Sequence, residues 1–249
     1  MSVVGNHCKP MNPFISKIQL NRHSRSIPLR RGFTLVEVLV VISIIAVLVV
    51  IAISTTRHIR RAASSAVCVS KMSQIGSAIL IYSQEHGGRL PTSAAYGAPF
   101  VGQGPWYNRD DRRLQNIIGE YLGCAESTTW STSAKLMTYD ATFAWPALLS
   151  EGQEGAPSVL LNSSVKLLVN GTASTGSPWA GSRSAPGSAY VGRMLDQIDE
   201  PGKQAAFGEV DQKNTTAGWK NLLPPEPVHG SYRNTLFFDW HVDRVAVKP

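Results

Sequence analysis

The stretch Arg30-Arg31-Gly32-Phe33-Thr34-Leu35-Val36-Glu37 runs without a break into Val38 and on to Ile53, and its reading decides the fold. A basic end meets a glycine, an aromatic residue and one acid. After that come only apolar or small residues. From Thr34 to Ile53 the single charge is Glu37. At a rise of 1.5 Å per residue the run spans about 30 Å, the thickness of a bilayer's hydrocarbon core. Its many Val and Ile residues suit a buried strand by propensity, but strands rarely exceed about ten residues. The run therefore predicts a transmembrane helix. Six basic residues precede it, and Arg57, Arg60 and Arg61 follow. The excess on the leading side places the N-terminus in the cytoplasm and the C-terminal part outside.

Upstream, residues 1–32 hold Lys9, Lys17, Arg22, Arg25, Arg30 and Arg31 and no acid. Prolines at 10, 13 and 28 break any regular period, so the segment reads as a targeting leader and stays out of the fold. The chain has 249 residues, enough for one or two domains, and a net charge of +7. With six of its 24 basic residues and none of its 17 acidic ones in the leader, the remainder is nearly neutral. A nucleic-acid partner is therefore not expected.

Downstream, Cys68, Met72, Ile75, Ile79 and Tyr82 recur at helical spacing. Lys71, Ser73, Ser77 and Gln84 lie off that stripe. His86-Gly87-Gly88 and Pro91 supply an end. One helix from about residue 34 to 86 is expected, about 75–80 Å long if unbroken. Its second half has one apolar side that needs a cover.

Residues 92–228 change to Gly, Pro, Ser, Thr and Ala. A short helix is expected over 111–122, with Leu114, Ile117, Ile118 and Tyr121 on one face, and a short apolar segment over 144–149. Residues 158–169 and 204–210 read as strands, and 171–188 as loop. Residues 234–238 and 241–247 read as a terminal hairpin with Asp239 at its turn. Trp240 suits a tight two-residue turn poorly, so a longer or bulged turn is expected. The expected class is α+β, a long N-terminal helix packed on a small antiparallel sheet. Cys68 and Cys124 are either a disulfide, which a compartment outside the cytoplasm permits, or two buried free thiols.

Glycine, an aromatic residue, glutamate five positions after the glycine and then a helix-length apolar run resemble the processing motif of type IV prepilins and type II secretion pseudopilins. The resemblance implies that a prepilin peptidase cuts between Gly32 and Phe33 and N-methylates Phe33. It implies that Glu37 neutralises the amino terminus of a neighbouring subunit, and that the mature helix leaves the inner membrane for a fibre core built with other pilin subunits. The implied divisions are 1–32 leader, removed; 33–54 transmembrane and assembly helix; 55–91 its amphipathic continuation; and 92–249 an outer α+β domain. Cys68-x2-Lys71-Met72-x-Gln74-Ile75-Gly76-x-Ala78, with Tyr82, Gly88 and Pro91, is similar to the helix of a large group of bacterial pilin-like proteins ending in His-x9-Asp-Gly. His229 and Asp239 have that spacing. Lys71 stands where asparagine is usual, and Trp240 replaces the glycine.

Other classes fit less well. A secretory signal also has a basic start and an apolar core, but it is cut after the core, here near Ala52 to Ser54. An anchored extracytoplasmic binding domain that forms no fibre is the alternative reading. His229, Asp239 and His241 are plausible metal ligands by type, but no third or fourth ligand is obvious, so neither a metal nor another cofactor is expected. H-E-x-x-H, Gly-x-Ser-x-Gly, P-loop and G-x-G-x-x-G patterns are missing from the sequence, and no enzymatic activity is expected. Trp106, Tyr107, Trp130, Trp145, Trp179 and Trp219 read as core aromatics rather than a ligand platform.

Overall fold

A computed structural model describes residues 32–130, 137–144 and 156–247, with residues 54–58 and 61 described by their backbone alone. The chain divides into two units, residues 1–50 and 51–249. Helix α1 spans Leu35–Glu85.

In the first unit α1 begins in a capping box, Thr34-Leu35-Val36-Glu37. The Glu37 Oε2 accepts from Thr34 N at 2.8 Å and Thr34 Oγ1 at 3.1 Å, while Glu37 N donates back to Thr34 Oγ1 at 3.2 Å. Reciprocal bonds of this kind satisfy donors that a helix start leaves orphaned. Beyond the cap the Val, Ile and Leu side chains up to Val50 are exposed on every side. A helix that is apolar all round needs lipid or other protein around it.

In the second unit α1 becomes one-sided. Ser65, Cys68, Met72, Ile75, Ala78 and Ile79 are buried, and Tyr82 is partly so. The expected stripe is the buried one. The helix ends as the glycines predict. Gly87 and Gly88 take φ of +63° and +80°, and Gly88 N donates to Ser83 O at 2.7 Å. That six-to-one bond closes the last turn.

The cover is a five-stranded antiparallel sheet. Its strands are β1 (Gly102–Gln103), β4 (Val159–Leu161), β7 (Ala205–Glu209), β8 (Tyr232–Phe237) and β9 (Val242–Ala246), in the order β1-β4-β7-β8-β9. Two ribbons flank it: β2 (Trp106–Tyr107) with β3 (Thr138–Tyr139), and β5 (Val165–Val169) with β6 (Thr172–Gly176). Cys68, Met72, Ile75 and Ile79 share one core with Val159, Leu161, Phe207, Leu236 and Phe238. Gly76 permits the approach: a Cβ there would lie 3.1 Å from both Leu236 methyls and 3.5 Å from the Trp240 ring. The architecture is α+β, an N-terminal apolar helix followed by antiparallel strands, as expected.

Several expectations change in detail. The strand over 158–169 is two strands, because Asn162 breaks it: its Oδ1 accepts from Ser164 N at 3.1 Å and its Nδ2 donates to Ala205 O at 2.9 Å. The loop over 171–188 contains β6, which pairs with β5 through the two-residue turn Asn170-Gly171, both at positive φ. Helix α2 is Leu114–Leu122, three residues shorter at its start than expected, with Leu114 and Ile118 buried. Residues 145–149 of the expected apolar segment, Trp145 included, lie outside the described residues.

The terminal hairpin forms, and its loop is longer than two residues. Trp240 N donates to Phe237 O at 3.0 Å and Phe237 N to His241 O at 3.0 Å, around Phe238, Asp239 and Trp240. Trp240 itself takes φ of +70°. A three-residue hairpin loop commonly ends on such a left-handed residue, usually glycine.

Candidate functional site

The N-terminal segment comes first. Gly32 and Phe33 precede the helix in non-helical backbone, and Phe33 is 84% exposed. No atom lies within 4 Å of a Cβ built on Gly32. Glu37 stands one turn into α1, held by Thr34. Residues 35–53 have a mean hydropathy of 3.3 and none of that stretch is buried in the protein. The segment thus combines an accessible backbone, a capped helix start and a carboxylate at the edge of an apolar rod.

The second cluster lies where α1 meets the sheet. Glu209 ends β7 with its side chain buried. Its Oε1 is 2.9 Å from His229 Nε2 and accepts from Asn234 Nδ2 at 3.0 Å, while Oε2 accepts from Asn234 N at 2.9 Å. Cys68, Glu209 and His229 place one sulfur, one oxygen and one nitrogen within 4.8 Å of each other. Burial, and then the Glu209 charge, push the Cys68 thiol well up. Asn234 Nδ2 also reaches Ser65 Oγ at 3.4 Å, and Tyr232 OH donates to Ser65 Oγ at 3.1 Å. Polar side chains from α1, β7, β8 and the loop before β8 therefore form one buried network.

The sequence-predicted residues fall in two separate places. His229 and Asp239 do not meet: His229 bonds Glu209, and Asp239 accepts from the backbone N of His241 at 3.3 Å and bonds the His241 ring. Burial works against the ionised Asp239, yet the His241 bonds and charge hold its carboxyl below the usual range. Asp239 and His241 both sit in the hairpin loop. Cys68 and Cys124 are separate free thiols, which corrects the disulfide alternative. Cys124 Sγ donates to Asp140 Oδ2 at 3.2 Å, while Cys68 faces Glu209. Burial, and then Asp140, push the Cys124 thiol up to about 12.

Lys71, off the apolar stripe, is half-buried and has specific partners. Its Nζ donates to Ala141 O at 2.6 Å and also to Ala144 O, tying α1 to the 3-10 turn Ala141–Phe143. Glu209 and Asn234 were not among the expected site residues. The available signal was Glu209 itself, a lone acid in Ala205-Ala206-Phe207-Gly208-Glu209-Val210. A carboxylate at the end of an otherwise apolar strand needs a buried partner.

Comparison with curated proteins and with solved structures finds no match. Residues 28–53 match the model of the prokaryotic N-terminal methylation motif, and that motif belongs to a family of structural subunits rather than enzymes. The match covers the apolar rod, its cap, the exposed Gly32-Phe33 and Glu37, and it supports a prepilin- or pseudopilin-type N-terminal segment.

Proposed function

We propose that the chain is a pilin-like structural subunit of the bacterial inner membrane, cut by prepilin peptidase between Gly32 and Phe33 and N-methylated at Phe33. Residues 1–32 are removed on the cytoplasmic side. Residues 33–54 anchor the mature protein and later enter a fibre core, residues 55–91 continue the helix, and residues 92–249 form the outer domain. The fibre is a type IV pilus or a type II secretion pseudopilus, built with other copies or with other pilin subunits.

The observation that carries this reading is the motif match over residues 28–53, which spans the exposed, non-helical Gly32-Phe33 and the apolar run that follows. Cutting there breaks no helical hydrogen bond. The new ammonium at Phe33 would stand at the positive end of α1, where a cation is disfavoured. Glu37 offsets that charge from the same subunit or from a neighbour. A carboxylate costs about 2.5–3.5 kcal/mol at a bilayer centre and less near the interface, so an ammonium partner in the fibre also stabilises Glu37.

The test is assembly. Glu37→Ala is expected to insert and be processed but to be lost from sheared fibres. Normal fibre yield from that variant would remove the assembly role.

A further inference from the structure

We propose that Cys68, Glu209 and His229 form a zinc site that clamps helix α1 to the sheet. It is independent of whether the chain enters a fibre.

Three observations carry it. The first is convergence: a thiol from α1, a carboxylate from the end of β7 and an imidazole from the loop before β8 bring their ligand atoms within 4.8 Å of one another. Tetrahedral zinc, with bonds of about 2.0–2.3 Å, needs ligand atoms about 3.3–3.8 Å apart, so small side-chain shifts suffice. The second is charge. Glu209 and Asp211 are equally withdrawn from water, with side chains 5% and 2% exposed. Asp211 is held bidentately by Arg233, at 2.6 and 2.9 Å. Among the described residues Glu209 has no Lys or Arg, only a histidine and neutral donors. A buried carboxylate without a cation is costly. Zinc(II) with one carboxylate, one thiolate and a neutral imidazole is a neutral unit.

The third is the outer shell. Asn234 donates from both its backbone and its side chain to Glu209 and links that carboxylate to Ser65, one turn before Cys68 on α1. Ligating carboxylates are oriented by such bonds. Thiolate, imidazole and carboxylate together suit zinc. Binding releases the Cys68 thiol proton to solvent as the Zn–S bond forms. His229 now bonds Glu209 through Nε2, and on binding the ring exchanges protons with solvent so that Nδ1 carries the N–H and the Nε2 lone pair is freed for the metal. Exposed Gly230 and Ser231 beside His229 mark the entry side, and the three-ligand set leaves a fourth position for water.

The experiment uses the full chain in detergent, loaded with zinc(II), freed of excess metal and measured by elemental analysis. About one zinc per chain is expected, falling to background in Cys68→Ala and His229→Ala. Loading wild type with cobalt(II) is expected to give a thiolate charge-transfer band and tetrahedral visible bands, which keeps the test alive if a variant does not fold. Folded wild type that retains no zinc, zinc that is equal in wild type and both variants, or a cobalt spectrum without the thiolate band overturns the site and leaves a metal-free hydrogen-bond node.

Discussion

His229 Nε2 and Glu209 Oε1 lie 2.9 Å apart at the junction of α1 and the sheet, both side chains almost wholly withdrawn from water. Glu209→Ala would orphan the His229 ring and Asn234 N at once and leave Asn234 Nδ2 only its 3.4 Å bond to Ser65 Oγ. At about 1–3 kcal/mol for each orphaned buried group, a loss of at least about 2 kcal/mol is expected. Denaturant unfolding of the full chain in detergent with a chelator present checks this without any contribution from metal. A loss within about 0.5 kcal/mol, the range of an ordinary surface change, contradicts it.

Trp240 occupies a left-handed position with φ of +70° while its ring packs on the core. Trp240→Gly and Trp240→Ala both lose the ring, but only alanine keeps a Cβ that clashes in that conformation. Glycine is therefore expected to be the more stable of the two by about 1 kcal/mol, the reverse of their order in a helix or strand interior. Paired thermal or denaturant melts decide it, and an alanine variant as stable as glycine sinks the strained-turn reading.

Gly76 lets Leu236 reach the helix backbone, with a Cβ there already at 3.1 Å from both methyls. Gly76→Leu is expected to destabilise the second unit by about 1–3 kcal/mol despite leucine's better helix propensity. A stabilised variant in unfolding experiments would show that the two elements are not closely apposed.

Cys124 is held protonated by burial and by Asp140, its thiol raised to about 12. A raised folded value means that the folded chain keeps its proton while the unfolded thiol, near about 8.5, gives it up. This contribution is complete below about pH 8.5 and is lost as pH rises toward 12. Under reducing conditions, wild type should lose stability between pH 8 and 10 more steeply than Cys124→Ala. Parallel curves would contradict the shift.

Much of this architecture was legible because the signals were long. A charge-poor run of helix length and a four-three-four-three stripe from Cys68 to Tyr82 can be read without tertiary information. The β6 strand was not, since Thr172-Ala173-Ser174-Thr175-Gly176 is small and polar and looks like loop. Its turn, Asn170-Gly171, is nevertheless a strong hairpin signal and outweighs composition. The break at Asn162 depends on a bond to Ala205, more than forty positions away, which no local pattern carries. The Cys68–Glu209–His229 cluster has the same character: three residues scattered along the chain meet only when α1, β7 and β8 pack. His229 and Asp239 share a spacing in sequence, yet the hairpin separates their partners.

Processing at the head of α1 is the step on which the rest depends, and it is read most directly from the mature protein's N-terminal residue, by mass spectrometry of the chain recovered from bacterial membranes. A chain that starts at N-methylated Phe33 is expected, with Gly32→Leu accumulating as the uncut precursor. A mature terminus near Ser54, or wild-type protein that keeps residues 1–32 in cells with active prepilin peptidase, would contradict it.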